Sequence, residues 1–143
     1  MSKHNQVEVG NWYDSEKYFS LKPGNPKGVK RYSFTGSKVS VSLNFIGKGL
    51  PNVGEHAHPH EQCLMVPQGD GDALIDGKRY PTEEGFFAII PPNMPHGYDC
   101  EKATIPCWNL DVFNPARLEF LKENYYNLLA QGKDPMKEMI TEE

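Results

Sequence analysis

Between residues 38 and 45 the chain alternates without a break. Val39, Val41, Leu43 and Phe45 fall on one face of an extended segment, and Lys38, Ser40, Ser42 and Asn44 on the other. A period of two is the period of a β-strand. Val29–Phe34, Gln62–Val66, Asp72–Ile75, Lys78–Tyr80 and Phe86–Ile90 read as further strands. Ala103–Phe113 reads as a longer one, with Pro106 predicting an edge or a bulge near its start. The connections are written in turn residues: Gly47-Lys48-Gly49, Pro67–Gly71, and Asp76-Gly77, a favoured two-residue hairpin turn. About eight short strands at this spacing predict an all-β jelly roll.

After residue 114 the period changes. Asn114 suits a helix cap and Pro115 a first helical turn, and Leu118, Leu121, Tyr125, Leu128 and Leu129 follow at helical spacing up to Gly132. This predicts a C-terminal α-helix packed on the barrel, with a second short helix over Pro135–Ile140. The first 28 residues are polar with scattered aromatics and close on a loop, Lys22–Gly28. They predict an arm that packs on a partner subunit or adds a strand to its own sheet. The expected organisation is an arm over 1–28, a barrel over 29–114 and a helical extension over 115–143.

Length and charge narrow the picture. A chain of 143 residues supports one core, and 13 glycines with 12 prolines suit many tight turns. A net charge of −4 without a basic block makes nucleic acid and anionic membranes poor partners. No apolar run is long enough to span a bilayer, and the N-terminus has no signal-peptide pattern, so a cytoplasmic protein is expected. Cys63, Cys100 and Cys107 form an odd, unpatterned set that reads as reduced thiols.

The chemistry is concentrated in two segments. In Gly54-Glu55-His56-Ala57-His58-Pro59-His60-Glu61-Gln62, residues His56, His58 and Gln62 share a strand parity and can point to one side. Histidines at i and i+2 cannot share one face of a helix. In the second segment, Gly85 leads an apolar strand into Pro91-Pro92-Asn93-Met94-Pro95-His96-Gly97, a rigid turn that delivers one more histidine. Three neutral imidazoles and one amide oxygen suit a borderline divalent ion with positions left open. His60 shares the ligand parity but lies at a turn, and Tyr98 is expected to pack.

These segments resemble the two signature motifs of the cupins, small double-stranded β-helix (jelly-roll) proteins. His56, His58, Gln62 and Gly69 match the first motif, and Gly85, Pro91 and His96 the second. Asn93 stands where the second motif has a glycine, which asparagine tolerates because it accepts a left-handed backbone. Cys100 takes the place of a usual asparagine. The run Asp111-Val112-Phe113-Asn114-Pro115-Ala116-Arg117, continued by Phe120-Leu121, is similar to the ending of cupins related to the pectin-degradation protein that linearises unsaturated uronates.

The resemblance implies a homodimeric enzyme with one divalent ion per chain (Zn, Ni, Mn or Fe) on His56, His58, Gln62 and His96. It implies ring opening of a 4,5-unsaturated uronate, a small anionic sugar acid, or a related non-redox lyase or isomerase step. Asp111, Phe113 and Arg117 would line the pocket. Four neutral ligands leave the ion its full double charge, which favours an anionic substrate. Arg117 suits the substrate carboxylate, Asp111 a proton transfer, and Phe113 the exclusion of water. An ion pair between Asp111 and Arg117 is the structural alternative. The chain departs from that group in a longer N-terminal arm and about twenty further C-terminal residues. An iron-dependent cupin dioxygenase and a non-catalytic cupin that binds a small ligand are the competing functional readings.

Overall fold

A computed structural model describes residues 7, 9–13, 28–51 and 55–116. Among these residues eight strands follow one another: β1 (Val29–Thr35), β2 (Ser40–Ile46), β3 (Glu61–Gln68), β4 (Asp72–Ile75), β5 (Lys78–Pro81), β6 (Phe86–Ile90), β7 (His96–Asp99) and β8 (Cys107–Asn114). They form a five-stranded sheet in the order β1-β2-β8-β3-β6 and a three-stranded sheet in the order β5-β4-β7. Every pairing is antiparallel. Among the described residues no helix is long and apolar enough to cross a membrane.

Local chemistry accounts for most of the boundaries. Asp76 and Gly77 both adopt positive φ (51° and 76°), which the turn between β4 and β5 requires where Ile75 pairs Lys78. Strand β8 starts only at Cys107, later than the alternation suggested. Pro106 has no N–H to give a ladder, and just before it the Asp70 carboxylate accepts from both the backbone N–H and the hydroxyl of Thr104. Strand β7 was not evident in the sequence: four residues pair with β4, Ile75 opposite His96, and carry no apolar alternation. Asn114 is the last residue of β8 and Pro115 sits in a bend, so Pro115 does not form a helical turn. The rest of the expected helical extension, and most of the N-terminal arm, lie outside the described residues.

The inner face of the larger sheet is polar at one side and apolar at the other. On β2 it is Ser40, Ser42 and Asn44 that turn inward and are buried, while Val41 and Phe45 face out half-buried. Strand β8 repeats this, with Asn109, Asp111 and Phe113 inward and Trp108, Leu110 and Val112 outward. Leu43 is buried although it has the outward parity. Toward β3 and β6 the interior becomes an apolar core of Leu64, Ala73 and Ile90, packed by Ile75, Phe86, Ala88, Met94 and Tyr98. Buried polar groups are tolerable only when hydrogen-bonded. The hydroxyls of Ser33 and Ser42, opposite each other on β1 and β2, meet at 2.7 Å.

Outside, an aromatic ladder crosses the sheet. Phe45 and Trp108 stack with centroids 5.5 Å apart and planes 5° from parallel, and Tyr13 packs edge-on against Tyr32 and stacks on Phe45. Trp12 packs against Tyr13, and a cavity of about 750 Å³ opens between this turn and the sheet.

All three cysteines are free thiols. Burial, and then the hydrogen bond with Cys107, pushes the Cys100 thiol up from its ordinary 9.0. The unfolded chain therefore releases this proton at a lower pH than the folded one. The Cys100 contribution is fully present below pH 9 and is lost as pH rises beyond it. Unfolding free energy measured by urea titration is expected to fall between about pH 9 and 10, and less so in Cys100→Ala. An equal fall in both proteins would show that another group is responsible.

Candidate metal centre

The histidine motif is held by pairing with the second motif, not by a strand of its own. His56 forms a single bridge to His96, donating its N–H to the His96 carbonyl and accepting in return, both at 2.9 Å. Residues 57–60 then run outside any strand until β3 begins at Glu61. The alternation expected from His56 through Gln62 is thus real in direction but is carried by an extended loop. Pro59 has no N–H for a ladder at this point.

The turn before β7 is fastened to this loop. Asn93 donates its N–H to the His58 carbonyl at 2.7 Å, from a backbone with φ of 64°. Asparagine in the glycine position therefore takes the left-handed conformation expected of it. Replacement by valine is expected to cost about 1–3 kcal/mol, whereas Asn93→Gly should unfold at nearly the wild-type urea midpoint. Equal midpoints for valine and glycine would show that the backbone conformation carries no penalty.

One potential ligand atom from each of His56, His58 and His96 lies within 4.8 Å of the other two. His58 and His96 are buried and His56 is exposed, so the cluster opens to solvent on the His56 side. His96 Nδ1 lies 2.8 Å from the Met94 carbonyl. A carbonyl only accepts, so Nδ1 carries the proton and Nε2 the lone pair. His58 Nε2 lies 2.9 Å from Gln62 Oε1, and the Gln62 amide nitrogen donates to Asp111 Oδ1 at 2.8 Å. An amide oxygen only accepts, so His58 Nε2 carries the proton and donates it to Gln62 Oε1. A bound ion would take the place of that proton, between the histidines and Gln62. Three imidazoles and an amide oxygen, all neutral and converging, fit a divalent ion.

The other anticipated residues surround this cluster. Asp111 is buried behind Gln62, accepting from it and, through Oδ2, from the Asn44 amide at 3.0 Å. Phe113 is 1% exposed and stands edge-on to His58 and His60, with centroids at 5.5 and 6.2 Å. It forms the wall behind the histidines. His60 is buried against His58 and lies outside the three-histidine group. The Tyr98 hydroxyl meets that of Thr82 at 2.7 Å, its ring packs on the core, and burial pushes its pKa up. Arg117 lies outside the described residues. Sequence reasoning missed Asn44 and Arg31: Arg31 Nε donates to Asn44 Oδ1 at 2.6 Å, and the Asn44 amide also donates to Asn109 Oδ1 at 2.8 Å. The shared parity of Asn44 with Ser40 and Ser42 was legible, but not that this face turns inward, and its placement beside Asn109 depends on a strand register between residues 65 apart.

Two antiparallel sheets around a half-polar interior, with a histidine triad joining two sequence segments, define a cupin-type jelly roll. Residues 46–113 match the family model described as a cupin domain. Among solved structures, the chain is similar to an RmlC-like cupin from Shewanella frigidimarina. That likeness has 23% identity and a TM-score of 0.66, over 81% of this chain and 97% of the other. KdgF from Halomonas sp. is 20% identical with a TM-score of 0.60, over 73% and 92%. A sugar phosphate isomerase from a cupin superfamily, from Silicibacter pomeroyi, is 18% identical with a TM-score of 0.53, over 61% and 59%. At these identities the likeness establishes the fold alone. No curated protein matches the chain in sequence.

Proposed function

We propose that this chain is a metal-dependent cupin enzyme that carries out a non-redox lyase or isomerase step on a small sugar acid. The finer reading is the linearisation of a 4,5-unsaturated uronate. The observation that carries it is the neutral His56–His58–His96 cluster with Gln62 alongside and the Asp111 carboxylate directly behind. The substrate class is supported by the run Asp111-Val112-Phe113-Asn114-Pro115-Ala116-Arg117, which is similar to the ending of the uronate-linearising cupins. The reading includes a cytoplasmic homodimer with one Zn, Ni, Mn or Fe ion per chain on the three histidines and Gln62.

Bound there, a divalent ion supplies Lewis acidity and full positive charge toward an anionic substrate. The protein supplies the rest. Linearisation breaks the bond between the ring oxygen and the anomeric carbon, takes the proton of the anomeric hydroxyl and delivers one to the enol carbon. Asp111 is the carboxylate at the site suited to carry that proton. Phe113 keeps water from the rear of the histidines. On sequence grounds Arg117 is assigned the substrate carboxylate, which its planar fork suits.

The test is the decay of ultraviolet absorbance of 4,5-unsaturated galacturonate with metal-loaded protein. Decay well above the spontaneous rate, abolished in His96→Ala, is expected. Decay at the spontaneous rate with metal bound would reject this substrate. Consumption of oxygen by the iron-loaded protein would favour the dioxygenase reading instead.

A further inference from the structure

We propose that Asn44 and Asp111 are positioning residues that hold Gln62 with its amide oxygen toward the histidines, and that Asp111 is the reason an amide stands at position 62. The inference rests on the metal-centre reading above.

The orientation of each group follows from what its partner can do. A guanidinium only donates, so Arg31 Nε at 2.6 Å fixes Oδ1 of Asn44 toward β1. The Asn44 nitrogen then faces β8, where its two protons go to Asn109 Oδ1 at 2.8 Å and Asp111 Oδ2 at 3.0 Å. Every hydrogen-bonding direction of the Asn44 amide nitrogen is used. Asp111 as a carboxylate only accepts, so Gln62 must turn its nitrogen to Oδ1 at 2.8 Å. Its oxygen is thereby left facing His58 at 2.9 Å. A donor-only group on β1 and an acceptor-only group on β8 together determine which atom of Gln62 the cluster meets. All three links from Asn44 to His58 are buried, where a misoriented amide has no water to fall back on.

The same chain places the negative charge of the site one residue back from the ligands. A glutamate at position 62 would set two carboxylates at hydrogen-bond distance with no donor between them. An asparagine at 111 would supply that donor. Residues 62 and 111 therefore act as one exchangeable unit, amide facing carboxylate in either order.

The test uses cobalt(II) titration, followed by the visible absorption of the bound ion, together with thermal melts of the metal-free protein. Asp111→Asn is expected to lower cobalt affinity about 10–100-fold, the usual effect of removing a ligand's hydrogen-bond partner, and Asn44→Leu, one link further back, to lower it by less. Gln62→Glu is expected to lower the melting temperature of the metal-free protein by about 5 °C or more, and adding Asp111→Asn to restore most of that loss. Wild-type affinity and spectrum in Asn44→Leu would overturn the positioning role. A double variant no more stable than Gln62→Glu would overturn the coupling, and this arm needs no metal. Wild-type protein with no saturable cobalt spectrum would instead reject the metal centre itself.

Discussion

His96→Ala lowers divalent-metal affinity by more than about 100-fold, since loss of a ligand's own hydrogen-bond partner alone costs 10–100-fold. The variant removes Nε2, the ring atom that carries the lone pair once Nδ1 is committed to the Met94 carbonyl. It leaves the backbone bridge to His56 intact, because that bridge uses only main-chain atoms. The barrel therefore still folds, and the variant shows a native far-ultraviolet circular dichroism spectrum. Calorimetric titration with zinc or cobalt checks the affinity. Unchanged binding in a folded variant would mean that the ion sits on a donor set without His96.

Gly69→Ala is the largest expected loss of stability. Gly69 has a φ of +126°, and a Cβ there would come within 2.6 to 2.8 Å of Sγ, Cβ and Cα of Cys107. This glycine follows the last residue of β3, where the chain passes the first residue of β8. Backbone strain and overpacking each cost about 1–3 kcal/mol, so the sum is about 2–6 kcal/mol. Against a typical total of 5–15 kcal/mol, that is a large fraction. The urea midpoint of unfolding measures it. Cys107→Ala in the same chain should recover little, because it removes Sγ while Cβ and Cα stay at 2.7 and 2.8 Å. Full recovery would place the clash on the sulfur and make the backbone approach unimportant.

The strands were legible where chemistry is local. Alternation in β2, turn residues at Asp76-Gly77 and the opposed parity of Cys63 and Gln62 all describe neighbours in the chain. The three histidines were legible for the same reason, since their spacing is written within two short segments. What alternation could not show is which face of β2 turns inward. The apolar face looks like the core face, yet the buried positions are Ser40, Ser42 and Asn44. Their polarity is satisfied across strands, by Ser33 on β1 and by Asn109 and Asp111 on β8. Those partners are far away in sequence and are fixed by register. Strand β7 was hidden because its hydrogen bonds, not its side chains, make it a strand. The period change after 114 predicted a first helical turn at Pro115, but Asn114 is still in the β8 ladder opposite Glu61 and Pro115 lies in a bend; the remainder of the expected helix lies outside the described residues.

The aromatic ladder on the outer face has a spectroscopic consequence. The chain has two tryptophans. Trp108 is stacked on Phe45 and Trp12 packs on Tyr13, both on the outside of the larger sheet. Trp108 is five positions from Phe113 along β8, roughly 17 Å at the rise of a strand. Intrinsic emission therefore reports on this outer aromatic layer, through Trp12 on the residue 12–13 turn and Trp108 in the β2–β8 pair, more directly than on the histidine cluster. An emission change during denaturation marks the loss of this outer layer, whether the turn undocks or β2 and β8 separate, so loss of the histidine cluster has to be followed with a second probe.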